Sequence, residues 1–460
     1  MRTFKLVWGM AAASAWALAA CSSSSPPPAS GSSGAFGVVT LGGKQLMYLP
    51  IQAPTANGDG QIAVVDVGQA GKGMTGAPAL VTDVDLGCAG AREAGFCSAP
   101  DFATTTAGDS SVVVAASTQS YRVWFIDPSK NQVTATLSLD PALGGSTFSG
   151  GGGIVTGIAL DEANHRAILS VWNGFLLVDL DSHSVTGSVT AAGSENFGFD
   201  STRGLVLAPF YNCGSATPGI DDAGNVLPLG DAGFCQSYQV PDGGGVITAG
   251  LNVVNLANDK VYTFENLAAA DPTFPLDGEP DSAAVDPSSG IAVLPQEGMG
   301  QEDFLDLTKA VYDDATRTFT APLAKLSIQE CDGAAVEPKS HLAFFEEEFS
   351  DQIALVDLTK LGAGADGGFP PSAVVQSNVP SPPGGSGWEN LGDPHGIAVT
   401  TGLQSSGPVG FVVSGQGSSG QWVARIDLQK MLTLGQAAAG TLTPAALAPA
   451  VTMLDAATKE

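Results

Sequence analysis

The sequence predicts an all-β protein, a seven-bladed β-propeller, and three observations predict it. An aliphatic run ending in Asp or Asn recurs seven times. The spacing between those residues returns to a base period near 51. Short β-rich runs flank each recurrence at similar offsets, which gives about four strands per period. Composition agrees. Of 460 residues, 59 are Gly and 29 Pro, and charged residues make up 14%. Low Lys/Glu content with high Gly argues against a helical bundle. A hydrophobic fraction of 44% argues against disorder. With 46 acidic and 18 basic side chains the formal charge is −28, the wrong sign for phosphate contacts, so no nucleic-acid partner is expected.

The N-terminus reads as an address. Met1–Lys5 carries two positive charges, and Leu6–Ala17 is apolar but too short to span a bilayer. Leu18-Ala19-Ala20-Cys21 follows, then Ser22–Ser25 and Pro26–Pro28. This segment resembles a bacterial lipoprotein signal peptide, and Leu18–Cys21 matches its lipobox at all four positions. The resemblance implies cleavage before Cys21 and lipidation of that cysteine, with the membrane as a partner through the anchor. Ser22 is not Asp, so inner-membrane retention is not signalled, and the outer membrane of the cell envelope is the expected location. The organisation is then residues 1–20 as signal peptide, 21–34 as lipidated Cys and Ser/Pro/Gly tether, and 35–460 as propeller. The tether has no apolar periodicity.

The recurring residues are Asp66, Asp127, Asp179, Asn255, Asp306, Asp357 and Asp427, at intervals of 61, 52, 76, 51, 51 and 70. The long intervals hold insertions: Cys88–Cys97, Cys213–Cys235 and the Pro/Gly segment Ala363–Gly387. Before each recurrence lies a β-rich run: Leu46–Pro50, Val112–Ala115, Ala167–Val171, Leu205–Ala208, Ile291–Leu294, Leu342–Phe345 and Phe411–Val413. Shorter runs led by small residues precede several of these, among them Gly157–Ala159 and Gly333–Ala335. Fourth strands are clearest at Val133–Leu137 and Val185–Val189. The recurring Asp is expected to accept backbone N–H bonds in the turn from strand three to strand four. Six blades remain the alternative count. Either Thr441–Leu454 supplies the last strand or Gly37–Leu41 closes the final blade.

Trp124–Leu137 is similar to the repeat of the YVTN family of seven-bladed propellers, which includes YncE-like periplasmic proteins, and Phe175–Val189 is a second match. The resemblance implies the fold over about Ala35–Leu434 and leaves activity open.

Five cysteines follow the anchor. Cys88 and Cys97 are close, as are Cys213 and Cys235, and both pairs end in Ala-Gly-Phe-Cys. Proximity suggests two loop-closing disulfides, each worth about 3 kcal/mol in the chain-entropy model. Cys331 is the odd one, expected as a buried small residue.

Chemistry is expected at the channel mouth, where each blade's first strand begins. Alignment there gives Phe36, Asp101, Thr156, Glu195, Asp281, Asp332 and His395. Oxygen ligands converging on one opening suit Ca²⁺, with Asp281, Asp332 and Glu195 as its candidate ligands. His395 with Asp332 or Asp281 is the candidate acid–base set of a calcium-dependent hydrolase or lyase. Trp388, Trp172 and Asn173 are candidates for stacking on and bonding to a sugar or other flat ligand. His165, His183 and His341 fall in turns and read as surface residues. Three functions compete: a monomeric binding or scaffold module for an envelope protein or glycan, needing no cofactor; the calcium enzyme; and a structural envelope protein.

Overall fold

Runs of β-branched and aromatic residues bounded by Gly, Asp and Ser should pair locally into antiparallel sheets, and they do. The computed structural model describes residues 36–51, 61–69, 73–86, 104–117, 122–139, 155–171, 174–191, 194, 197–211, 238–239, 246–247, 249–265, 279–280, 282–297, 300–328, 331, 333–346, 351–364, 367–383, 396–403, 407–414 and 422–459. They form a β-propeller of seven four-stranded antiparallel blades.

Blade 1 comprises Val38–Leu41, Lys44–Ile51, Gln61–Asp66 and Ala77–Asp85. Blade 2 comprises Thr104–Gly108, Val113–Ser117, Arg122–Asp127 and Gln132–Ser138. Blade 3 comprises Val155–Asp161, Arg166–Val171, Gly174–Asp179 and Ser184–Thr190. Blade 4 comprises Gly198–Asp200, Leu205–Tyr211, Ala249–Asn255 and Lys260–Phe264. Blade 5 comprises Ala284–Asp286, Ile291–Leu294, Glu302–Asp306 and Leu323–Leu326. Blade 6 comprises Gly333–Glu337, Leu342–Glu346, Gln352–Asp357 and Val374–Asn378. Blade 7 comprises Gly396–Thr401, Pro408–Ser414, Trp422–Asp427 and Val451–Lys459.

The core sits between blades. The inner strands are apolar on both faces because each blade is covered on both sides, whereas outer strands such as Gln132–Ser138 alternate exposed and half-buried residues. Tyr48 and Val64 pack on Val113 and Trp124 between blades 1 and 2. Val114 and Phe125 meet Ile158 and Leu169, and Ile168 and Phe175 meet Phe199 and Val206. Leu251 and Val253 meet Val285 and Leu305. Val293 and Phe304 meet Phe345 and Val356, and Phe344 and Leu355 meet Val412 and Met431. Met47 and Val65 meet Val423 and Leu454, which returns the ring to blade 1.

The four principal strands of every blade follow one another along the chain. The two sequence options for closure resolve in favour of a C-terminal strand, Val451–Lys459, while Val38–Leu41 opens blade 1. The last strand also pairs in parallel with the fourth strand of blade 1, through Leu454↔Ala77, Asp455↔Pro78 and Lys459↔Leu80. Two insertions were not anticipated. A hairpin, Val311–Asp313 with Thr318–Thr320, extends blade 4 to six strands. A helix, α1 (Leu428–Ala437), lies between the last two strands and packs Met431 and Leu432 against the interface of blades 6 and 7. Its sequence signal was present: an Asp427 N-cap followed by buried residues at Leu428, Met431, Leu432 and Gly435.

All seven recurring residues end the third strand of their blade, as the sequence pattern predicts. All seven side chains accept a backbone N–H two or three residues on. The donors are Gly68 to Asp66 at 3.0 Å, Ser129 to Asp127 at 2.8 Å and Ser182 to Asp179 at 2.7 Å. Ala257 donates to Asn255 at 2.9 Å and Thr308 to Asp306 at 3.1 Å. Thr359 donates to Asp357 at 3.0 Å and Lys430 to Asp427 at 2.9 Å. The residue after the cap is apolar for a second reason. In four blades its N–H reaches back to the turn between strands one and two, as Leu307 does to Gly290 O at 2.8 Å and Leu358 to His341 O at 2.9 Å, and in blade 1 Val67 reaches Gln45 O at the start of strand two. Its side chain is buried in the core; Leu358 is 3% exposed.

Blade 4 uses Asn in this role, so the cap needs an acceptor oxygen more than a charge. Asp357→Ala is expected to cost about 1 kcal/mol, as for a lost cap. Asp357→Asn should cost much less, and urea denaturation of the two variants separates them.

Candidate functional site

The strand directions give the ring two unlike ends. Connections from strand one to two and from three to four leave from one end. Connections from strand two to three, and from each blade to the next, leave from the other.

The first end is built of capped turns. A second acid, missed by the sequence analysis, ends the first strand in four blades: Asp161, Asp200, Asp286 and Glu337. Four residues after each sits a backbone with positive φ: His165 at 50°, Gly204 at 66°, Gly290 at 73° and His341 at 55°. His183 takes the same conformation at 51° in a turn from strand three to four. The three histidines thus lie in turns, as the sequence analysis expects, and each sits four residues after an acid that ends a strand.

One of these turns assembles Ser, His and Asp. His341 Nδ1 lies 2.6 Å from Asp286 Oδ2 and 3.4 Å from Ser288 Oγ. Ser288 Oγ donates to Asp286 Oδ1 at 2.6 Å, and Ser289 Oγ donates to Oδ2 at 2.6 Å. A nucleophilic relay needs the serine on Nε2 and the acid on Nδ1. Here both meet the same nitrogen, so the cluster joins blades 5 and 6 rather than activating Ser288. Burial pushes the Asp286 carboxyl up, but bonds from Ser288, Ser289 and His341 outweigh it and hold the group below its usual range. Its contribution to stability is therefore present above the unfolded pKa, about 3.9, and is lost as pH falls through the lower folded value. Asp286→Asn should flatten the acid limb of a stability-versus-pH curve measured by urea midpoint, with the main loss of stability appearing at neutral pH.

The second end carries the connections between blades and the longest connection of the chain, residues 212–248. Cys88, Cys97, Cys213 and Cys235 belong to it, and all four lie outside the described residues, as does Cys21. The same holds for Asp101, Trp172, Asn173, Glu195, Asp281, Asp332, Trp388 and His395. Topology assigns these residues, Cys21 aside, to connections at one end; the structure does not place their side chains. Two aligned mouth positions are described, and both depart from the expected ring. Phe36 is 4% exposed and packs in the core between blades 7 and 1. Thr156 is 1% exposed, and its hydroxyl donates to Ser194 O at 2.6 Å and meets Ser170 Oγ at 2.9 Å. Both were chosen by alignment of strand starts. In a sheet a one-residue difference in register turns a side chain from the opening into the blade interface.

Several acids at this end are inside the fold. Glu302 is buried and its Oε2 accepts from Gln296 N at 2.9 Å. Asp303 and Glu346 are also buried, and Glu346 Oε1 lies so close over Gly333 that a Cβ there would sit 2.9 Å from it. Among the described residues no group of three or more His, Cys, Asp or Glu side chains could hold a metal ion. Cys331, between blades 5 and 6, is buried in their shared core as expected.

Charge divides sharply between the ends. The connections at the second end carry 22 Asp and Glu and a single Arg, Arg92. Those at the capped end carry 7 Asp and Glu and 8 Lys and Arg. The net formal charge of the connections is therefore −21 at the second end and +1 at the capped end.

No protein-family model matches the chain, and no curated protein matches it. Solved structures do show similarity. A chain of the Toxoplasma gondii coronin WD40 domain aligns over 85% of this chain and 79% of its own, at 9% identity and a TM-score of 0.45. A chain of Kuenenia stuttgartiensis hydrazine synthase aligns over 72% and 97%, at 15% identity and a TM-score of 0.35. A chain of the mitotic checkpoint complex aligns over 66% and 68%, at 11% identity and a TM-score of 0.38. The fold assignment rests on the strand ladders described above.

Proposed function

We propose that this chain is a lipid-anchored propeller of the bacterial cell envelope that binds a basic surface of an envelope protein on its long-connection end. The observation that carries the reading is the charge partition, 22 acids against one Arg at that end. Such a field raises the local concentration of cationic partners and speeds their encounter, with strong salt dependence. The capped end offers no comparable field, because its charges nearly balance and many are engaged in turns. The lipobox Leu18–Cys21 supports the anchor, and Ser22–Gly34 supplies a tether that would let a rigid ring reach a partner. Similarity of Trp124–Leu137 to the YVTN repeat agrees with an envelope setting.

The test uses the full chain in detergent micelles. A Lys/Arg-rich peptide should bind at low salt and be released at high salt, while a Glu-rich peptide of equal length should not bind. Neutralising the acids of 265–283 and 347–351 to Asn and Gln should weaken that binding. Equal binding of both peptides, or no effect of neutralisation, would overturn the reading. The anchor is tested separately by incorporation of an alkyne fatty acid, which Cys21→Ser should abolish.

A further inference from the structure

Six of the seven neighbouring blade pairs are joined by the chain itself. Blades 7 and 1 are not, and non-covalent contacts alone close the ring there. The outer contact is the parallel ladder of Val451–Lys459 on Ala77–Asp85, whose register breaks between Asp455 and Lys459. The inner contact is Gln45 Nε2, which donates to Thr401 O at 2.8 Å. Gly76, at φ 76°, seats against the Trp422 ring, where a Cβ would stand 2.8 Å from it.

This closing joint is also polar inside. Gln45 shares a strand face with Met47, which packs against blade 7, so Gln45 points into the joint. Arg425 shares a strand face with Val423, which packs against blade 1, so Arg425 enters from the other side. Gln45 is fully buried and Arg425 is 5% exposed. Gln45 Oε1 and Arg425 Nε are both buried without a hydrogen-bond partner. Gln69 Oε1 is a third such atom. Its residue donates to Pro78 O at 3.2 Å, beside the ladder. Unsatisfied groups in a packed interface destabilise it, whereas water entering the interface satisfies them. The Arg425 guanidinium enters the interface with its Nε unpaired, which makes the closed state costlier still.

We propose that the joint between the first and last blades is a hydrated, reversibly opening gate in the ring, with Val451–Lys459 as its clasp. Opening wets Gln45 and Arg425 and parts the Val451–Lys459 strand from Ala77–Asp85, while that strand stays paired with Trp422–Asp427 and Met453 stays in the core of blades 6 and 7. Any partner that grips both blades would hold the ring shut, and one that inserts between them would hold it open.

Hydrogen exchange followed by mass spectrometry on the full chain tests this. Amides of Val451–Lys459 and Ala77–Asp85 should exchange together, with protection at least about tenfold below that of Arg166–Val171 and Leu342–Glu346, as expected of a sub-global opening. Arg425→Met should remove the buried charge and its unpaired Nε, slow that exchange and raise Tm. Equal protection of all four segments would overturn the proposal. So would an Arg425→Met variant that folds but melts lower, since the guanidinium would then be stabilising the closed joint.

Discussion

Deleting residues 451–460 is expected to abolish the cooperative melt of the whole propeller. The last strand pairs on both sides, with Trp422–Asp427 in its own blade and with Ala77–Asp85 across the closing joint. Its side chains serve two cores at once. Met453 packs between blades 6 and 7, and Leu454 between blades 7 and 1, and both are fully buried. Burying one such side chain contributes roughly 1.5–3 kcal/mol. Val451, Met453 and Leu454 together therefore approach the 5–15 kcal/mol or so that stabilises a typical domain. The truncated chain should give a broad, low-amplitude transition by circular dichroism and an enlarged radius by size exclusion. Met453→Ala is the milder companion, with an expected cost of about 2–5 kcal/mol and an intact two-state melt. A truncated chain that melts like its parent would show that the ring closes without its clasp.

The second large effect comes from a single methyl group. Gly174 opens the third strand of blade 3 at φ 151°. A Cβ there would lie 2.0 Å from Val189 O on the neighbouring strand, a contact that backbone must move to relieve. The neighbouring strand is held by its own ladder from Ser184 to Thr190, so relief disrupts the blade edge. Gly174→Ala should therefore cost about 3 kcal/mol or more, in the range reserved for backbone conflict. Gly43→Ala is the control. Gly43 also has a positive φ, 82°, but nothing lies within 4 Å of its Cβ position. Only the conformational term remains there, roughly 1 kcal/mol. Urea midpoints of the two variants separate clash from strain, and equal losses would refute the distinction.

What was legible in the sequence was the part held by local rules. The Asp residues that end third strands recur because each turn needs an acceptor at that point, and the following Leu recurs because its N–H and its side chain both have fixed destinations. Those two needs repeat in blade after blade, so they leave a period. The second acid, as at Asp200 and Asp286, obeys the same logic, but the first strands of blades 1, 2 and 7 do not end in it and the period is broken. Helix α1 is hidden by context, since ten helical residues occur once in a β-rich chain and leave no period. The mouth residues were harder for a physical reason. Phe36 and Thr156 were assigned by counting from strand starts, and a count cannot tell which way a side chain turns when the strand ends are irregular. Asp281, Asp332 and His395 sit in connections of unequal length, where no repeat constrains the backbone.

The succession of each blade's principal strands along the chain bears on how the chain acquires its structure. Nearly all pairing joins segments close in sequence, so blades can form one after another as chain emerges, each on the surface of the last. The bond from Gln45 to Thr401 spans 356 residues. Contacts of such separation carry the largest loop-closure entropy and form late, after shorter loops have been fixed. Folding should accordingly show two kinetic phases, a fast one for the stack of blades and a slow one for closure. The slow phase alone should respond to substitutions in Val451–Lys459.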